Sequence, residues 1–148
     1  MSNNTGSPLW AVQKKIKEVL TEDPVLMSKV EGVFNFVRPN TEVPYVQLAQ
    51  FTSSQWGAYH PYGRLVVATI NVWSRYLGFK SAEDIGNDVI RLLVWQDLPL
   101  DYPWSNDSSL LDTDSINNES DGITRMYQMN LKFFVMMDEN YVPPEPEL

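Results

Sequence analysis

The chain has 148 residues, enough for one domain that buries roughly 70% of the surface its unfolded form exposes, and its 43% hydrophobic and 20% charged residues exclude wholesale disorder. With 19 acidic against 11 basic residues, the formal net charge of −8 opposes nucleic-acid binding by phosphate neutralisation and docking on an anionic membrane. The absence of cysteine excludes disulfides, thiolate nucleophiles and thiolate metal ligands, so stability has to come from packing.

Residues 1–6 are polar and read as a flexible leader. Ser7 followed by Pro8 predicts a helix N-cap with proline at the first helical position. From there Leu9, Val12, Ile16 and Val19 or Leu20 recur at helical spacing, with Lys14, Lys15 and Lys17 on other faces, and the helix is expected to end near Thr21. Asp23-Pro24 marks a boundary, and a further short turn of helix is expected between Pro24 and Val30, before Gly32. Val33 to Val37 and Tyr45 to Gln50 read as short extended segments that can pair as a hairpin across the turn Arg38-Pro39-Asn40-Thr41. Phe51 to Arg64 has no defensible period and reads as a long loop.

Leu65 to Arg75 is the clearest strand, with Val66, Ala68, Ile70 and Val72 on one face and Val67, Thr69, Asn71 and Trp73 on the other. Both faces are rather apolar, which predicts a central position. Ser81 with Asp84 has the form of a capping box, and Ala82, Ile85, Val89, Leu92 and Leu93 form a second helical stripe running to about Trp95. Between Gln96 and Gly122 the period is lost, apart from a short strand around Ser109 to Asp112; this stretch holds Asp97, Asp101, Asp107, Asp112, Asp114, Glu119 and Asp121 and no Lys or Arg. Ile123 to Met137 alternates cleanly, with Tyr127, Met129, Leu131, Phe133, Val135 and Met137 on one side, as a long strand does. Residues 139–148 form a Pro- and Glu-rich tail that cannot continue regular structure. No run of apolar residues is long enough for a membrane helix or signal segment, so the protein is expected to be cytoplasmic where it is made.

Chemistry is sparse in this sequence. The single histidine, His60, has no neighbouring partner that would make it a base or ligand, and reads as a loop or interface residue. Asp112-Thr113-Asp114-Ser115-Ile116-Asn117 opens like a calcium loop, but Ile116 takes the fifth position, Asn117 the sixth where glycine belongs, and Ile123 the twelfth where an acid is required. The glycines stand singly, so no phosphate-cradling loop is present. No catalytic, metal or cofactor site is therefore expected. Trp56, Tyr59 and Tyr62 can be read as a sugar-stacking platform, as a protein interface, or as a local cluster over the sheet.

Three stretches together resemble the tail-completion proteins of siphophages and related prophages, a family long catalogued as a domain of unknown function. They are Ser7-Pro-Leu-Trp-Ala-Val-Gln-Lys-Lys-Ile16 with Gly32-Val33-Phe34 and Pro44-Tyr45-Val46; Ile70-Asn71-Val72-Trp73-Ser74-Arg75 running into the helix from Ser81; and Asp121-Gly122-Ile123-Thr124-Arg125 leading into the last strand. The resemblance covers residues 7–138 and implies an α/β (α+β) domain, a single mixed or antiparallel sheet of about four to five strands with two amphipathic helices against it. It is similar to the tail terminators of lambda-like phages. Tyr102 to Asn118 is longer and more acidic than the family pattern, and the Pro-rich tail lies outside it.

What the resemblance implies is a structural virion protein without enzymatic activity, a hexameric ring that caps the tail tube, ends its growth and offers the surface for head attachment. The implied partners are further copies of the chain, the tail tube protein and a head-completion or connector protein, with genomic DNA only passing through; assembly takes place in the host cytoplasm. Candidate interface residues are Trp56, Tyr59, His60, Tyr62, Trp73 and Arg75, and candidate channel-facing acids are Asp112, Asp114, Glu119 and Asp121. Another neck component, such as a head-completion protein, and a carbohydrate-binding module are the competing readings.

Overall fold

A computed structural model describes residues 7–55, 62–75, 80–119, 121 and 123–142. The first helix, α1 (Leu9–Glu22), buries Val12, Ile16 and Leu20, one residue per turn along a single face. It starts one residue later than the sequence predicts. Pro8 occupies the cap position, its carbonyl accepts from the Val12 N–H at 3.0 Å, and Ser7 Oγ accepts from the Leu9 N–H at 3.3 Å. Asp23 breaks the helix and starts α2 (Pro24–Met27), its carboxylate accepting from the Leu26 N–H at 2.9 Å with Pro24 at the first position.

The expected hairpin between the first two extended segments is replaced by a parallel pair. Strand β1 (Val33–Phe34) lies beside β2 (Tyr45–Gln55) with Val33 opposite Val46 and Phe34 opposite Gln47. Asn40 at φ 67° and Thr41, which bonds back to the Arg38 carbonyl, do form a turn, but segment 35–44 is long enough to return the chain to the start of β1 and re-enter in the same direction. The hairpin partner of β2 is instead β3 (Gly63–Ser74), joined by an antiparallel ladder from Tyr45–Trp73 to Gln55–Arg64. The first residues of the expected loop, Phe51 to Gln55, therefore belong to β2. A register shift between Leu48 and Gln50 hides them, because buried Val46 and Leu48 are followed by Phe51, three residues on, instead of residue 50.

After α3 (Lys80–Leu93), which buries Ala82, Ile85, Gly86, Val89 and Leu93, comes the main departure from expectation. The stretch read as patternless holds β4 (Trp104–Asn118), the longest strand described. It pairs along its length with β5 (Arg125–Met137), but two register shifts, between Asn106 and Ser108 and between Leu111 and Thr113, break its alternation. The residues opposite the buried face of β5 are Trp104, Asn106, Ser109, Leu111, Asp114 and Ile116, a spacing with no single period. Its position at the sheet edge also leaves most of its side chains exposed, so no hydrophobic run marks it.

The five strands run in the order β1-β2-β3-β5-β4, a mixed sheet, with the three helices packed on it. One core cluster joins Val12, Ile16 and Leu20 of α1, Ile85, Val89 and Leu93 of α3, and the inward rows Val66–Val72 and Tyr127–Val135 of β3 and β5. Each such side chain contributes roughly 1.5–3 kcal/mol on burial. Ser81 lies inside the first turn of α3, where its hydroxyl sits 3.4 Å from Ser74 Oγ. At the other end of α3, buried Ser109 of β4 donates to the Leu93 carbonyl at 2.6 Å and accepts the Trp95 N–H at 3.2 Å, holding Trp95 at φ 58°.

Gly86 lets α3 sit close against Tyr127 of the sheet. A Cβ there would stand 2.1 Å from Cε2 of Tyr127, whose hydroxyl is tied to Asp114 at 2.5 Å and so cannot swing aside freely. Alanine would gain about 1 kcal/mol of helix propensity, but overpacking costs about 1–3 kcal/mol. Gly86→Ala is therefore expected to lower stability by up to about 2 kcal/mol in urea unfolding; a stabilised variant would show that α3 can lift from the sheet.

Candidate assembly cleft at one end of the sheet

The strands that start or stop at one end of the sheet, β2 at Tyr45, β3 at Ser74, β4 at Asn118 and β5 at Arg125, frame a cleft of about 410 Å³. Its wall on the side of segment 37–43 carries Arg38 and Thr41; its floor carries Tyr45 and Trp73; its far wall carries Arg75, Glu119, Asp121 and Thr124. Tyr45 and Trp73 are cross-strand partners on the face opposite the core, so their rings stack at 6.3 Å and 25°, and Phe34 meets Tyr45 edge-on at 6.0 Å. Gln47 fixes the ladder beneath them, its Oε1 accepting from Trp73 Nε1 at 2.9 Å and from Asn71 Nδ2 at 3.4 Å. Burial pushes the Tyr45 phenol up from its ordinary pKa, against the opposing effect of Arg75.

The acidic wall is a built turn. Asp121 accepts from the Thr124 hydroxyl at 2.5 Å, the Thr124 N–H at 2.8 Å and the Ile123 N–H at 2.9 Å, while Thr124 Oγ1 accepts from Arg75 Nε at 3.3 Å. The Glu119 N–H donates to the Thr124 carbonyl at 2.9 Å and closes the loop. These bonds, the Thr124 hydroxyl first, hold the Asp121 carboxyl at about 2, below its ordinary 3.8.

Of the residues singled out from sequence, Trp73, Arg75, Glu119 and Asp121 thus meet in one cleft. Asp112 and Asp114 do not. They stand further along β4, Asp112 with Lys132 at 3.5 Å and Asp114 accepting from the Tyr127 hydroxyl. Tyr62 lies at the opposite end of β3, where its carbonyl accepts from the Met137 N–H at 2.8 Å. Trp56, Tyr59 and His60 fall outside the described residues. Sequence reasoning took Arg38 for turn chemistry only and passed over Tyr45; the alternation Tyr45, Gln47 on a strand whose other face is buried was the signal that could have marked Tyr45 as lying on the free face. Chemically the cleft offers stacked aromatic surface and mixed charge, which suits recognition of another surface. Among the described residues no three His, Asp or Glu side chains converge where a metal ion could be held.

A family model described as "Tail completion protein gp17" matches residues 14–138. No curated protein sequence matches the chain. Among solved structures, a chain from the "Virion of native gene transfer agent (GTA) particle" superposes with a TM-score of 0.73 at 22% identity, over 86% of this chain and 96% of that one. The gp17 protein of bacteriophage SPP1 gives a TM-score of 0.59 at 20% identity, over 90% and 93% respectively. At these identities both are likenesses of fold.

The Asp121 turn makes the cleft sensitive to acid in a defined direction. Because its folded pKa is depressed, its stabilising contribution is complete above about pH 4 and is lost as pH falls towards 2. The thermal midpoint of the wild type is expected to fall more steeply over that interval than that of Asp121→Asn; parallel curves would mean the turn is not coupled to folding.

Proposed function

The chain belongs to the tail completion protein gp17 family, and on that premise we propose that it is the terminator of a phage-type tail, a hexameric ring that caps the tube, stops its growth and presents the head-attachment surface. The observation that carries the reading is the family match across residues 14–138. The fold shared with a chain of a virion particle supports it further. The family is a structural one, and the mixed-charge cleft suits contact more than bond-making.

In this reading the protein has no enzymatic role and acts in the virion, after assembly in the host cytoplasm. Its partners are further copies of itself, the tail tube protein and a head-completion or connector protein, while genomic DNA passes through without being held. Closure of a ring needs two unlike surfaces on each subunit. Trp73 and Arg75, with the aromatic floor beside them, contact a neighbour or the tube. Glu119 and Asp121 belong to the channel wall, with Asp112 and Asp114 at the seam where that wall passes into the next subunit; like charge along the wall repels DNA phosphates and keeps the genome from sticking.

Electron microscopy of particles made with this gene interrupted by a nonsense codon tests the reading. Tails of uncontrolled length beside separate, filled heads are expected. Normal tails on normal heads would overturn it, and tailless heads beside complete free tails would assign the chain to head completion instead.

A further inference from the structure

Cations without a described partner stand on one side of the sheet and a run of aspartates at its other edge. On the β1 side, Trp10 is 69% exposed and Phe36 76%, and Lys17 lies between them, lining both the groove along α1 that holds Trp10 and the adjoining hollow of about 560 Å³ that holds Phe36 and Arg38. The side chains of Lys17 and Arg38 make no hydrogen bond or ion pair with any described residue, although the chain as a whole is strongly acidic. Burying such exposed aromatic surface favours association, and the cations beside it repay their desolvation only where a partner sets acids against them.

At the opposite edge, β4 presents exposed Asp107, Asp112 and Asp114, and the sequence from residue 96 to 122 contains no Lys or Arg. Trp95, 74% exposed, is fastened beside this strand through its N–H to the Ser109 carbonyl. One side thus offers aromatic surface with the cations Lys17 and Arg38, beside Glu18 in the same groove, and the other offers aromatic surface with three exposed aspartates, of which Asp112 also meets Lys132 at 3.5 Å and Asp114 accepts from the Tyr127 hydroxyl.

We propose that the Trp10–Lys17–Phe36–Arg38 face of α1 and segment 34–38 is the docking site for the β4 edge of a second copy of this chain, with Lys17 and Arg38 set against Asp112 and Asp114. Charge complementarity selects this pairing and penalises its alternative, because two β4 edges brought together by a two-fold axis would set aspartates against aspartates. Contact between unlike faces leaves one face of each kind free at every step, which is the condition for closing a ring. The inference rests on the ring reading for that closure, whereas the contact itself is specified by the two faces.

The chain has no cysteine, so a Lys17→Cys/Asp112→Cys double variant reports the contact directly. In oxidised, purified particles it is expected to give a reducible ladder of multimers on a non-reducing gel, while each single variant stays monomeric. Monomers from the double variant in particles with normal, headed tails would overturn the seam and leave the ring reading standing, and dimers from Asp112→Cys alone would overturn it in favour of two-fold pairing. Failure of the ring reading is seen separately, in the tail lengths of the nonsense mutant. Charge reversal supplies a second readout: Lys17→Glu and Asp112→Lys are each expected to reduce incorporation into particles about tenfold, with the combined variant restoring it. A combined variant no better than either alone would overturn the pairing.

Discussion

The seat of α3 on the sheet depends on one close approach. Tyr127 of β5 fills the space that Gly86 leaves empty, and its hydroxyl is held by Asp114 of β4, so a helix and two strands are tied through a single ring. Burial and the Asp114 carboxylate both push the Tyr127 phenol upward in pKa, which keeps it protonated as a donor. The same strand pair reaches back to the helix through Ser109, whose hydroxyl satisfies the Leu93 carbonyl. Edge strand β4 therefore terminates α3 chemically and positions it sterically, although its own side chains are mostly solvated.

Ion pairs organise the helical layer around this anchor. Lys29 meets Asp88 at 2.7 Å, and Arg91 meets Asp23 at 3.1 Å, so the residues flanking both ends of α2 are tied to α3. Lys14 reaches Asp101 at 3.0 Å and ties α1 to the segment that leads into β4. These are exposed or half-exposed pairs, each worth at most about 1 kcal/mol, so they orient elements whose association the core drives. With these cations engaged, Lys17 and Arg38 are left on the β1 side to face outward, and the acidic surplus collects at the far edge.

Much of this architecture was legible in the sequence wherever one period ran unbroken. β5 alternates without interruption and β3 nearly so, Gly63 and Asn71 being buried on its other face, and the buried rows are the ones the pattern names. The stripes of α1 and α3 were equally plain, with Pro8 and Ser81 displaced by a residue or two because local capping geometry is decided by hydrogen bonds and not by residue type alone. What stayed hidden was hidden for a reason. A register shift resets the inward face, so the second half of β2 and nearly all of β4 carried no period to read. Strand partners are also invisible to periodicity, which is why β1 was matched to β2 in the wrong direction. The cleft was half visible: Trp73, Arg75, Glu119 and Asp121 stood out by type, while Arg38 and Tyr45 acquire meaning only when the loop before β2 folds over the end of the sheet.

The irregularity of β4 has a consequence for the life of the free subunit. A long, flat, uncovered strand would be a template on which other chains could add by backbone pairing, the route to fibrous aggregates. Here the longest strand is bent by two inserted residues and carries Asp107 and Asp112 at those same two irregular positions. Each breaks the even ladder that a recruited strand would need. The open edge is thereby ill suited to backbone pairing with another chain and is left to recognition through its side chains.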